Sequence, residues 1–423
     1  MLGLARSGIA TVDALLASGA TVVAWDASEE RRGALPPSSG LSFADPLAID
    51  LGGFDGVVVS PGVPLNTHPI TARAADAGVP IIGDIELFAQ ARATLPPHKV
   101  VGITGTNGKS TITALIHHIC RTARLPSLAG GNIGIPILAH DPLSPNASGV
   151  GVYVLELSSY QIDVTHSLDC DVAVLLNITP DHLDRYDGFE AYAASKARLF
   201  TMQSKGHAAV IAIGDIPSAN IARQVAVSGR SEDLTKIAPG LCMDQSRWPA
   251  LQGPHNAQNA LAAIAASEAL GIPNADIDRG LETYEALPHR MQIVAIKNGV
   301  RYVNDSKATN PTSTAPALAA FDRIHWILGG QAKTDDLEAC RPGFGHVARA
   351  YTIGDATELF AGLLDGEFPV EKSGTLAAAV KSAAAQAKPG ETVLLSPACA
   401  SFDQFRDYED RGAKFRAAVG ALQ

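Results

Sequence analysis

The chain has 423 residues, 46% of them hydrophobic and 18% charged, with a formal net charge of −10. That is enough apolar material for several buried cores; it excludes a disordered chain and predicts two to four domains. Without a basic run, nucleic acid and anionic membrane are disfavoured as primary partners.

Five cysteines, Cys120, Cys170, Cys242, Cys340 and Cys399, are scattered without a C-x-x-C pair. They read as small core residues in a reducing cytosol, not as disulfides or a zinc site. No uninterrupted apolar stretch has membrane-spanning length, and Met1 runs straight into a glycine turn. A cytoplasmic protein without a signal peptide is therefore expected, and no short internal repeat is visible.

The first ninety residues read as a small parallel α/β unit. Gly3-Leu4-Ala5-Arg6-Ser7-Gly8 is a degenerate G-x-G-x-x-G turn. Such a turn should follow a strand, yet only Met1 and Leu2 precede it. Either the sequence begins late or the first strand is nearly missing. A helix with Ile9, Val12, Leu15 and Leu16 on one face ends at Gly19. Strand Thr21–Trp25 then leads to Asp26, placed about where a dinucleotide fold puts its ribose-binding acid; the alternative is a plain βαβ turn. Strands Val57–Ser60 and Val79–Gly83 and the helix Ile85–Ala93 complete the unit.

Leu95-Pro96-Pro97-His98 is a linker-like break. Val100–Thr104 is a short β-branched run and reads as a buried strand. Gly105, Thr106, Asn107 and Gly108 form a tight loop, and Lys109, Ser110 and Thr111 open a helix whose apolar positions are Ile112, Leu115, Ile116 and Ile119. Strand, glycine loop, Lys-Ser and helix describe a phosphate cradle with a G-x-x-G-K-S spacing. Lys109 is placed to neutralise phosphates, and the Ser110 hydroxyl to ligate Mg²⁺. Further on come a polar turn Gly130–Gly134 containing Asn132, and a buried strand Val152–Leu155 ending in Glu156. A carboxylate there belongs to Mg²⁺ organisation beside a phosphate loop. Strand Val172–Ile178 leads to Asp181, His182 and Asp184. The helix Phe189–Met202 carries Lys196, by residue type a solvated lysine. His207–Ile213 is a strand, and the stretch up to Trp248 has no clear pattern. Asn256 and Asn259, three apart at a helix start, share one face, where they could bind a ligand or cap the helix.

Leu287-Pro288-His289-Arg290 reads as a second hinge before a third α/β unit. Its strands Tyr302–Asn304, Ile324–Leu328, Tyr351–Ile353 and Val393–Leu395 end in polar residues, the rim expected of an open sheet. Among them are Asp305, Thr309, Lys333 and Ser401, with the aromatic Phe402 next to Ser401. With no glycine-rich phosphate loop of its own, this unit is suited to a small polar or anionic partner.

Taken together, the stretches Gly105–Thr111, Gly130–Gly134, Leu155–Gln161, Asp181–Tyr186, His255–Asn259, Pro288–Arg290, Asn304–Asn310 and Ser396–Phe405 resemble the bacterial Mur ligases. The last two favour the branch that adds D-glutamate. The resemblance implies an α/β protein of three domains: a Rossmann-like N-terminal domain (1–94), a P-loop-type ATPase domain (95–287) and a Rossmann-like C-terminal domain (288–423). It implies ATP-driven amide formation through an acyl phosphate, with ATP and Mg²⁺ as cofactors and with UDP-N-acetylmuramoyl-L-alanine and D-glutamate as substrates. The expected form is a monomer with no nucleic-acid or membrane partner.

By the same resemblance, Gly105, Thr106, Asn107, Gly108, Lys109, Ser110 and Thr111 hold the ATP phosphates. Ser110 and Glu156 organise one Mg²⁺, and His182 a second, together with Lys196 as a carbamate. Asn132 contacts substrate or phosphates. Asn256, Asn259, Arg290 and Asp305 hold the nucleotide. Thr309, Lys333, Ser401 and Phe402 shape the D-glutamate pocket, and Arg6, Ser7 and Asp26 contact the UDP end. Lys109, His182, Lys196 and Asn132 are the expected catalytic residues. Three other readings compete. A folylpolyglutamate synthase shares the loop and the reaction type, and an ATP-driven switch shares the loop alone. An NAD oxidoreductase would use the Gly3–Gly8 turn but leaves the central loop unexplained.

Overall fold

The structure, a computed structural model, describes residues 1–181, 183–229, 233–240 and 243–422. The chain divides into two compact units, Met1–Pro239 with Leu261–Gly280, and Gly240–Ala260 with Leu281–Gln423.

The first unit contains two parallel sheets. In the N-terminal one, β1 (Val22–Ala24) pairs with β2 (Leu41–Phe43), and β3 (Val57–Val58) with β4 (Ile81–Ile82). Leu2 joins the two pairs through parallel bridges to Trp25 and Val59. Its backbone is fully used: Leu2 N–H donates to Val58 O at 2.8 Å and Ser60 N–H to Leu2 O at 2.9 Å, while Trp25 N–H reaches Met1 O. Leu2 thus carries the central ladder between the two pairs. Leu2 also packs into a core with Leu51, Val57, Val59, Ile70 and Val79.

The second sheet has six parallel strands, β5 (His98–Thr104), β6 (Ser127–Gly131), β7 (Gly151–Glu156), β8 (Val172–Leu175), β9 (Ala208–Ala212) and β10 (Asp233–Ile237), in the order β10-β9-β8-β5-β7-β6. β7, β8 and β9 are buried throughout, and β5 from Val100 onward. Helices covering both faces explain these near-continuous apolar runs. The helix Lys109–Thr122 buries Ile112, Leu115, Ile116 and Ile119, the stripe read from the sequence. Gly130 and Gly131 belong to β6 rather than to a turn. A Cβ on Gly131, whose φ is +89°, would lie 2.2 Å from Glu156 O, so the neighbouring strand leaves no room for a side chain.

The second unit holds one six-stranded sheet in the order β11-β12-β16-β13-β14-β15, from β11 (Gln292–Lys297), β12 (Val300–Asn304), β13 (Ile324–Gly329), β14 (Val347–Ile353), β15 (Val370–Gly374) and β16 (Thr392–Leu395). Only the β11–β12 pair is antiparallel. Alternate residues face opposite ways. Val303, Trp326, Leu328 and Leu394 fill one core, and Tyr302, Ile327, Tyr351 and Leu395 the other. No helix of the described residues is long and apolar enough to cross a membrane.

The strand that launches the phosphate loop is packed to its limit. A Cβ on Gly102 would stand 2.6 Å from Cys170 Sγ and 3.2 Å from Leu199 Cδ1. Gly102→Ala should therefore destabilise by about 1–3 kcal/mol through overpacking. Thermal unfolding should show a lower midpoint, partly restored by adding Cys170→Ala. An unchanged midpoint would contradict this packing.

Candidate active site

The loop between β5 and its helix is built from backbone and amide contacts. Thr106 N–H donates to Asn177 O at 2.9 Å, and Asn107 N–H to Asn177 Oδ1 at 2.8 Å. The Asn177 amide returns a bond to Asn107 O at 3.1 Å. Thr106 Oγ1 donates to Thr179 O and lies 3.1 Å from Tyr192 Oη. Gly108, at φ +87°, turns the chain into the helix in a conformation glycine adopts freely. Lys109 folds over the loop, donating to Gly105 O at 2.9 Å and Thr106 O at 2.8 Å.

Beside the loop, Ser110 Oγ donates to Glu156 Oε2 at 2.5 Å, and the Asn132 amide donates to Glu156 Oε1 at 3.0 Å. Both carboxylate oxygens are thereby oriented in a buried setting. A hydroxyl and a carboxylate are hard oxygen donors of the kind Mg²⁺ takes. Among the described residues, no cluster of three His, Cys, Asp or Glu side chains could hold a metal by itself. His182 lies outside the described residues.

Lys196 is not the solvated lysine its residue type suggests. Only 1% exposed, it donates to Gly105 O at 2.9 Å and lies 4.5 Å above the Tyr192 ring. Burial, then the nearby Lys109 charge, holds its pKa well below the ordinary 10.5, against the pull of Asp181, Asp163 and Glu156. Asn177 and Tyr192, which organise the loop and Lys196, went unassigned at the level of sequence. Their only signal is a polar residue at the end of β8 and an aromatic one turn before Lys196 on a helix.

At the N-terminal sheet, Asp26 accepts from Leu4 N–H at 2.7 Å and Ser28 N–H at 2.9 Å, closing the glycine turn on itself. Burial alone would raise its pKa, but these N–H groups and Arg31 hold it below the usual carboxylate value. Ser7 Oγ stands 3.3 Å from Ser60 Oγ, and Arg6 is exposed. An open cavity of about 650 Å³ lies between the helix Arg6–Ala17 and the segment Gly134–Asp141, with Arg6 on its wall.

In the second unit, Asn259 donates to Asn256 Oδ1 at 3.1 Å, and Asn256 to Gln252 O at 3.0 Å. The two amides are thus a linked pair. Asp305 accepts from Ser396 Oγ at 2.8 Å and Met291 N–H at 3.1 Å. Burial raises its pKa to about 7, against the lowering effects of Ser396, Met291 N–H and Arg290. Three loops past the strand ends are stitched together. Ala398 N–H donates to Ala308 O, while Gln331 and Ala400 exchange backbone bonds at 2.9 and 3.0 Å. These bonds bring the segments carrying Thr309, Lys333 and Ser401 to one rim. Ser401 is buried, Lys333 exposed, and Phe402 69% exposed.

Residues 103–267 match the family model of the Mur ligase middle domain, and residues 289–399 that of the Mur ligase glutamate ligase domain. The UDP-N-acetylmuramoylalanine–D-glutamate ligase of Sphingopyxis alaskensis is 62% identical over all of this chain and 96% of its own length. The chain belongs to the Mur ligase family. The ligase of the same name from Novosphingobium aromaticivorans is 59% identical over all of this Mur ligase and 94% of that protein. Among solved structures, the UDP-N-acetylmuramate–alanine ligase of Thermotoga maritima superposes with a TM-score of 0.60 at 16% identity, over 100% of this chain and 99% of that one. At that identity the likeness shows the α/β fold alone.

The buried Lys196 makes a pH-dependent prediction. In the unfolded chain its pKa is the ordinary 10.5, and in the folded chain it is lower. Above 10.5 neither state holds the proton, so burial carries no penalty; as pH falls below it, the unfolded chain takes the proton first and the fold loses stability. Lys196→Met should therefore melt several degrees higher than wild type near neutrality. The gap should narrow as pH rises toward 10.5. A gap independent of pH in differential scanning calorimetry would contradict this.

Proposed function

We propose that this Mur ligase is an ATP-dependent ligase that adds D-glutamate to UDP-N-acetylmuramoyl-L-alanine in peptidoglycan precursor synthesis. The observation that carries the reading is the cradle at Gly105, where two lysines meet beside an oriented Ser110–Glu156 pair, in a chain 62% identical to a ligase of that name. The domain division at 94/95 and 287/288 is part of the proposal, as are a cytoplasmic monomer and the three named domain types.

In this reading, the loop N–H groups and Lys109 hold the outer phosphates of ATP. Ser110 and Glu156 would hold Mg²⁺, which when bound offsets phosphate charge. The substrate carboxylate attacks the γ-phosphorus, expels ADP and becomes an acyl phosphate; the free amine of D-glutamate then attacks the acyl carbon, losing a proton and displacing phosphate. No protein nucleophile is needed, and the residues act by position and charge. Asn132 orients Glu156. Asn256, Asn259, Arg290 and Asp305 hold the nucleotide, with Asp305 accepting from ribose hydroxyls when ionised. Thr309, Lys333, Ser401 and Phe402 form the D-glutamate site. The muramoyl substrate would extend along the cavity walled by Arg6, with Ser7 and Asp26 contacting its UDP end. Lys196 is proposed to react as a free amine with CO₂, losing a proton to give a carbamate. Its depressed pKa favours the free amine, and the product is an oxygen ligand suited to Mg²⁺.

The test is phosphate release with ATP, UDP-N-acetylmuramoyl-L-alanine and D-glutamate supplied singly and together. Turnover should require all three; release with ATP alone would favour an ATP-driven switch. Lys109→Ala should reduce turnover by a factor on the order of 10³ or more while leaving the melting curve within a few degrees of wild type. Wild-type ligation by a folded Lys109→Ala enzyme would refute the phosphate-loop assignment.

A further inference from the structure

Arg411 belongs to the helix Tyr408–Gly420 and is completely buried. Its guanidinium meets four acceptors on two separate loops. Nε donates to Ser306 Oγ at 2.9 Å and Nη2 to Ser306 O at 2.8 Å, both on the loop after β12. Nη2 also donates to Cys399 O at 3.1 Å, and Nη1 to Ala400 O at 3.2 Å, both on the loop after β16. A third loop closes against the same group. A Cβ on Gly330 would stand 3.2 Å from Arg411 Nη1 and 2.3 Å from Ala400 O. Among the described residues Arg411 has no ion-pair partner within hydrogen-bonding reach; Asp403 and the Cys399 thiol act on it only through space. Burial pulls its pKa down to about 10, which leaves it charged at neutral pH.

Two features show that this arrangement holds the backbone in place. Ala398, just before the gripped carbonyls, has φ +57°, a left-handed conformation that a residue with a Cβ keeps only when its surroundings enforce it. The gripped loops also carry the groups assigned above to two ligands. Asp305 immediately precedes Ser306, and Ser401 and Phe402 immediately follow Ala400. A buried cation whose donors end on three main-chain carbonyls and one hydroxyl is a fork of fixed geometry, and lysine, with three donors on a single nitrogen, cannot reproduce it.

We propose that Arg411 is a positioning residue that sets the shape of the amino-acid pocket by clamping the Ser306 loop to the Cys399–Phe402 loop. The inference rests on the D-glutamate reading of that rim for its kinetic consequence and on the hydrogen bonds alone for its structural one. Arg411 touches no reacting atom. Asp305 keeps its own ties to Ser396 Oγ, Met291 N–H and Leu395 O, whereas Ser401 and Phe402 are presented by the gripped backbone, so loss of Arg411 should weaken capture of the amino acid more than capture of ATP.

The experiment compares full-length wild type with Arg411→Lys by steady-state kinetics and by amide hydrogen exchange of the ligand-free enzymes. Arg411→Lys keeps the charge and loses the fork. KM for D-glutamate should rise by about tenfold or more, with KM for ATP and kcat at saturating D-glutamate changed by less than about threefold. Exchange should quicken at Ala398–Phe402 and at Ser306–Ala308 and stay unchanged in the first unit. If Arg411→Lys fails to fold, Ser306→Ala, which removes one acceptor and leaves the charge in place, should move the same quantities in the same direction. Unchanged exchange in the two loops would overturn the clamp, as would equal losses for ATP and D-glutamate. Because exchange is read without substrate, it decides on the clamp independently. A wild-type enzyme with no D-glutamate-dependent turnover would instead defeat the ligase reading.

Discussion

Lys109 and Lys196 donate to the same carbonyl oxygen, that of Gly105, each at 2.9 Å. Two ammonium groups on one acceptor in a largely buried site repel each other, and the depressed pKa of Lys196 registers that repulsion on top of desolvation. The arrangement is relieved in two ways. An anion can enter the cradle, or one amine can give up its proton. A nucleotide triphosphate does the first; the proposed carbamate does the second and converts a liability into a metal ligand. The surrounding architecture serves this point. Buried strands β5, β7 and β8 fix the depth of the loop, Gly102 lets the Lys196 helix approach β5, and Asn177 and Tyr192 lock the loop from the far side.

The second unit works by different means. Its rim has no phosphate loop, and its order comes from links between loops: Ser396 to Asp305, Ala398 to Ala308, Gln331 to Ala400, and the Arg411 fork. These ties add to packing: Ser396, Ala398, Cys399 and Ser401 are buried, with Ala398 and Cys399 part of the core. The ties converge where parallel strands end, which is where open α/β sheets bind ligands.

The phosphate loop was readable because its local rules agree. A β-branched run gives the strand, glycines give the turn, and Ile112, Leu115, Ile116 and Ile119 give the helix face. The third unit's strands were readable for the same reason, though β14 proved longer and β15 went unseen, since Val370–Gly374 is polar and at the sheet edge. β6 was misread as a turn because two of its five residues are glycine; what demands the second of them, Gly131, is the approach of Glu156, a long-range contact without a local trace. Lys196 misleads for a similar reason. Residue type says surface, and only the packing of its helix against β5 puts it inside. The resemblance to a family, not the residue itself, pointed there. Arg411 lay beyond both, its burial set by three loops distant in sequence. The ladder through Leu2 shows the converse, a pairing made by a single bridging residue that no strand pattern could signal.

The central claim is that charge and position alone drive amide formation, through an acyl phosphate and without a protein nucleophile. The most direct test labels both carboxylate oxygens of UDP-N-acetylmuramoyl-L-alanine with ¹⁸O and follows the label during turnover with ATP and D-glutamate. The account predicts that each phosphate released carries a single ¹⁸O, transferred when the carboxylate attacks the γ-phosphorus and kept when the amine displaces it. Unlabelled phosphate, or a phosphoryl group recovered on the protein, would contradict it.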